Sequence, residues 1–122
     1  MADEFQITTQ MVYQSGEDYK KESDRYSVTQ VVGPLGGGPG VQVITTTHLA
    51  VNDSVTNLGV AYFKNLDSTN FIELGVDVSS TFYPVLRLGP GESVVCKLSP
   101  AITLYAKADT AVARLQAAIY EQ

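Results

Sequence analysis

Residues 71–108 read FIELGVDVSSTFYPVLRLGPGESVVCKLSPAITLYAKA, and the period of their apolar positions decides the fold. In FIELGVD, Ile72, Leu74 and Val76 share one side while Glu73 and Asp77 take the other. In ESVVCKLS, Val94, Cys96 and Leu98 alternate with Ser93, Val95 and Lys97. In AITLYAKA, Ile102, Leu104 and Ala106 alternate with Thr103, Tyr105 and Lys107. A period of two describes strands with one buried face and one wet face. LGPGES places Pro90 and Gly91 at the centre of a type II turn. Proline presets φ near −65° at the first position and glycine supplies the positive φ at the second. Leu86, in the run before this turn, is expected in the core.

The same grammar extends outward. In FQITTQMVY, Phe5, Ile7, Met11 and Tyr13 share a face, with Gln6, Thr8 and Gln10 opposite. QSGEDYKKESD, residues 14–24, mixes charges of both signs and is expected to be a loop or an extended arm. NLDSTN, residues 65–70, is rich in side chains that bond their own backbone and predicts a turn. In AVARLQAAIYEQ, residues 111–122, Ala113, Leu115, Ala117 and Ile119 alternate as in a strand. Val112, Leu115 and Ile119 also fit a helical face, and alanine favours helix. The all-β surroundings favour a closing strand. Eight or nine runs at intervals of about ten residues predict an all-β protein. The expected architecture is an antiparallel two-sheet β-sandwich of jelly-roll type with about eight strands. It is expected as a single domain over residues 1–122, with 1–30 supplying a first strand and a polar, partner-contacting arm.

The stretch VVGPLGGGPGVQVITTT, residues 31–47, tests for a nucleotide site. A phosphate loop needs G-x-x-x-x-G-K-[ST] with a helix behind it. Gly33 and Gly38 have that spacing, but Pro39 stands where the lysine belongs. A G-x-G-x-x-G fingerprint fails at Val41. A strand former follows, so no helix N-terminus receives the anion. The segment reads as a wide connection that orders against a neighbour, because fixing glycine costs the most entropy. Leu35 and Pro39 are its candidate partner contacts.

Composition removes further classes. The chain of 122 residues carries a formal charge of −5 and eight Lys plus Arg, too few and too scattered for a nucleic-acid partner. No apolar run approaches the ~20 residues of a membrane helix. MADEFQITTQ has neither the basic nor the apolar segment of a leader. Cys96 is the single cysteine, so no internal disulfide forms and a cytosolic birthplace is expected. Cys96 itself reads as a small buried hydrophobe. His48, the single histidine, reads as a strand residue bonded to a neighbour, since nothing flags the partners of a triad or a metal cluster. Asp53, Asp67, Glu73 and Asp77 raise a glycosidase pair, which the absence of tryptophan weakens. Asp67, Ser68 and Asn70 raise a calcium site, but a self-bonded turn is the simpler reading without a D-x-D-x-D-G loop. No enzymatic activity, cofactor or metal is expected. Tyr13, Tyr19 and Tyr26 crowd the first quarter of the chain and are the candidate partner-binding aromatics.

From VTNLGVAYFKNLDSTNFIELGVD through FYPVLRLGPGESVVCKLSPAITLYAKADTAVARLQAAIYEQ, the chain resembles small β-sandwich structural proteins of tailed bacteriophages. The shared features are a strand ending in NLDSTNFIELG, an aliphatic strand, a PGE turn, a V-C-K-L strand and a closing LYAKADT segment. The resemblance implies a virion component, made in the host cytoplasm, that decorates and cements a capsid. It also implies a homotrimer and a major capsid protein or another virion protein as partner. The alternative expectation is a tail- or baseplate-associated sandwich that recognises a host glycan or receptor.

Overall fold

The computed structural model describes residues 3–30, 40–51 and 57–121. The chain divides into two compact units, Met1–Gly33 and Pro34–Gln122. The first is a hairpin of β1 (Asp3–Ser15) and β2 (Asp18–Gln30), antiparallel over thirteen rungs from Asp3↔Gln30 to Ser15↔Asp18. The expected first strand is present as β1. Residues 14–24, expected as a loop or an extended arm, form the tip of this ribbon and the first half of its return strand, which corrects the loop alternative. Gly16 turns the chain with φ 58°, the positive value a two-residue hairpin needs at its first central position.

The second unit is a β-sandwich. Its strands are β3 (Gly40–Ile44), β4 (Leu49–Ala50), β5 (Leu58–Asn65), β6 (Ile72–Val78), β7 (Thr81–Leu88), β8 (Ser93–Lys97), β9 (Tyr105–Ala108) and β10 (Ala113–Glu121). They form two antiparallel sheets, one ordered β3-β10-β5-β8 and the other β4-β9-β6-β7. The inward residues of both build one core: Ile44, Phe63, Leu115 and Ile119 from the first sheet meet Ile72, Leu74, Leu88, Ala106 and Ala108 from the second. Val94, Cys96, Leu98 and Ile102 pack against its margin. The period of two read in these runs is therefore the period of burial. The final segment is the strand β10, which lies between β3 and β5.

Six of the seven connections between consecutive sandwich strands cross from one sheet to the other; the β6–β7 hairpin stays within its sheet. Two crossings converge on Asn65, the last residue of β5 and fully buried. Its Nδ2 donates to the carbonyls of Asn70 (2.8 Å) and Leu88 (3.0 Å). Its Oδ1 accepts from the Asp67 amide at 2.9 Å. Its own N–H donates to Glu92 O (3.0 Å), and its C=O accepts from Gly91 N–H (3.1 Å). One side chain thus ties β5 to the chain entering β6 and to the chain leaving β7. The turn it meets is the expected one: Glu92 N–H donates to Gly89 O at 3.0 Å, and Gly91 has φ 77°.

Strand β7 carries a bulge and corrects one expectation. Leu74 pairs Leu86 but the next residue, Gly75, pairs Pro84, so Val85 is extra on β7. Leu86 is 37% exposed rather than buried, and Leu88 is the residue of β7 that reaches the core. Leu86 pairs buried Leu74 and stands on the same side as Leu88, but β7 is the last strand of its sheet, so the outer flank of Leu86 stays open to solvent. Leu86→Asp should therefore shift stability by less than about 1 kcal/mol, as surface substitutions do. Urea unfolding of this variant checks the assignment, and a loss of several kcal/mol would restore Leu86 to the core.

Candidate interaction surfaces

The ribbon presents its side chains to two faces. Odd positions of β1 stand opposite even positions of β2, giving the rungs Thr9↔Asp24, Met11↔Glu22 and Tyr13↔Lys20 on one face, together with Tyr26, opposite Ile7. The other face holds Thr8↔Arg25, Gln10↔Ser23, Val12↔Lys21 and Gln14↔Tyr19. The Arg25 guanidinium donates to Gln6 Oε1 at 2.9 Å along this second face. Of the three tyrosines singled out in the sequence, Tyr13 and Tyr26 therefore share a face, six rungs apart, or about 20 Å at ~3.4 Å per residue. Tyr19 points the opposite way. All three are exposed, as are Met11 and Val12. Leu35 and Pro39 lie outside the described residues.

The outward face of the β3-β10-β5-β8 sheet follows from its register. Val43 stands beside Arg114; Val41, Gln116, Lys64 and Ser93 form the next row; Ala118, Tyr62 and Val95 form a third; Lys97 pairs with Val60. Lys64, Lys97 and Arg114 are its charges, and these rows hold no acid. At one end, Val43, Leu66, Asp67, Ser68, Val112, Ala113 and Arg114 line an open cavity of about 360 Å³. The outward face of the other sheet is balanced: Glu73 lies between Lys107 and Arg87, bonds Arg87 Nη2 at 3.1 Å, and Arg87 caps the Phe71 ring at 4.0 Å.

The residues tested for chemistry are engaged locally. His48 Nε2 lies 2.6 Å from Asp77 Oδ2. The His48 ring stacks on Phe82, with centroids 5.5 Å apart, and tilts against Tyr105. Asp77 Oδ1 accepts from the Ser80 amide at 3.0 Å, which holds a hairpin turn whose Ser79 and Ser80 both have positive φ. The partner that sequence reasoning missed is Asp77, 29 positions away. The pair joins the β3–β4 connection to the β6–β7 hairpin. Asp67 Oδ2 accepts from the amides of Asn70 (2.6 Å) and Thr69 (3.0 Å), so the turn is self-bonded. Those amides hold its carboxyl below the ordinary aspartate value. Cys96 is half-buried rather than fully buried, and desolvation pushes its thiol up, away from the reactive thiolate. Among the described residues, no group of three or more His, Cys, Asp or Glu is placed to hold a metal ion.

In comparisons with known proteins, no family, no curated protein and no solved structure matched this chain.

Proposed function

We propose that the protein is a virion structural component of a tailed bacteriophage, a capsid decoration protein that binds the outer shell and cements neighbouring capsid subunits. The ribbon carries this reading. At thirteen rungs it extends about 44 Å at ~3.4 Å per residue. A two-stranded hairpin alone is marginal in water, yet this one exposes Met11, Val12, Tyr13, Tyr19 and Tyr26. Exposed aromatics on a polar frame are the anchors of protein interfaces. Strand order supports a jelly-roll reading of the sandwich: numbered from β3, the two sheets run first-eighth-third-sixth and second-seventh-fourth-fifth. Repetition on a lattice converts modest contacts into firm attachment through effective concentration.

Electron microscopy of the parent particle tests the proposal. A regular array over the head is expected. Serine at Tyr13 and Tyr19 together should weaken attachment at least about tenfold, the scale of lost aromatic anchors. Copies confined to the tail tip would favour the glycan- or receptor-binding alternative, and absence from the particle would end both readings.

A further inference from the structure

The charges of the ribbon are sorted by face. The exposed rungs that carry Met11 and Tyr13 hold Glu22 and Asp24 against one cation, Lys20. The opposite face holds Lys21 and Arg25, with no acid on the rungs between Gln6 and Gln14. On the sandwich, the outward rows of β3-β10-β5-β8 are apolar and cationic: Val41 and Val43, each 52% exposed, share rows with Lys64 and Arg114, Lys97 stands on the far strand, and Asp67 lies at the margin beside Val43 and Arg114. A face with apolar anchors and acids in one unit thus matches a face with apolar rows and cations in the other. We infer that the Met11–Tyr13 face of one copy's ribbon docks on the outward face of this sheet in a second copy.

Size and symmetry bear on the form of the assembly. Ile7 on this face is buried, so the exposed stretch is the seven rungs from Thr9 to Ser15; at about 24 Å by ~10 Å it covers roughly 240 Å² per partner, below the ~800 Å² of a standard interface. A single contact is therefore weak. The contact joins unlike surfaces, so each copy offers a ribbon and a sheet at once. Unlike surfaces close into rings or grow without end. In a ring every copy makes two such contacts, which doubles the area it buries. Complementary charge also sets the register and excludes wrong pairings.

Sedimentation equilibrium of the full chain tests the inference in three steps. The parent should form a species heavier than the 13.1 kDa chain, weakening as salt rises, because exposed charges are screened. The double variant E22K/D24K and the double variant K64E/R114E should each weaken association at least about tenfold, while K21E on the opposite ribbon face leaves it unchanged. An equimolar mixture of the two double variants should regain it, because the reversed ribbon of one then meets the reversed sheet of the other. Thermal melts establish that each variant is folded before it is scored. A parent that stays monomeric, or folded double variants that do not recover on mixing, would overturn the inference. The inference rests on the reading that the ribbon is an interaction element, but the two fail separately. A monomer that coats the head would refute the self-contact alone, and a charge-dependent oligomer that ignores the head would refute the decoration role alone.

Discussion

Asn65→Asp is expected to destabilise the sandwich by about 3–5 kcal/mol at neutral pH, the scale of breaking a buried polar network and leaving a charge in it. The substitution keeps the shape of the side chain and the acceptor for the Asp67 amide. It removes the donor that satisfies the Asn70 and Leu88 carbonyls, and sets an anion against both. Each carbonyl left unpaired costs about 1–3 kcal/mol. Against a total stability of roughly 5–15 kcal/mol, this is a third or more for many domains. The pH dependence has a definite sign. Burial against carbonyl oxygens raises the introduced carboxyl above the ordinary value near ~3.9. The penalty is complete above the raised value and fades as pH falls through it, because a protonated carboxyl donates again. Urea melts at neutral pH and near pH 4.5 measure this, with the gap to the parent narrowing in acid. A variant as stable as the parent at neutral pH would remove Asn65 from its role as the tie between the two crossings.

Gly75→Ala should cost about 3 kcal/mol or more, above the usual ~1–3 kcal/mol of an overpacked site, because its neighbours are backbone. A methyl group at Gly75 would lie 2.0 Å from the carbonyl oxygen of Tyr83 and 2.8 Å from Pro84 Cα. The bulge brings β7 over β6 at this rung. No side-chain rotation relieves the clash, so the strands must separate or the bulge must move. Gly91→Ala is the control. Its added carbon meets nothing within 4 Å, and only the positive φ of 77° opposes it, at about 1–2 kcal/mol. Thermal denaturation ranks the two; equal losses would mean that the close approach at Gly75 does not exist.

What was legible in the sequence, and what was not, follows from the range of each interaction. Alternation in residues 92–99 and 101–108 predicts burial because each strand meets the core with every second side chain. The Pro90–Gly91 turn is legible because both residues act through their own backbone angles. The expectation for Leu86 fails because alternation gives the side a residue faces, not whether its strand lies at the edge of the sheet, and β7 is an edge. Asn65 looked like a turn residue because a buried amide and a turn amide are chemically identical until the carbonyls of Asn70 and Leu88 arrive. A loop is the wrong expectation for residues 14–24 because strand signals rest on one dry face, and these residues are exposed wherever their side chains are described. From Lys21 to Arg25 the charges nevertheless alternate: Lys21 and Arg25 stand on one side, Glu22 and Asp24 on the other, which they share with Lys20. His48 and Asp77 are linked by folding alone, although the Asp-x-Ser-Ser sequence does mark the turn that Asp77 holds.

Pro84 gives the outer margin of the second sheet a further property. It lies within β7, the last strand of its sheet, beside the bulge at Val85. An outermost strand with a full row of free amides is a template on which another chain can grow. Proline contributes no amide, and the bulge bends the row. A molecule proposed to meet its own copies through side-chain faces is thereby discouraged from stacking on them strand by strand into a fibre.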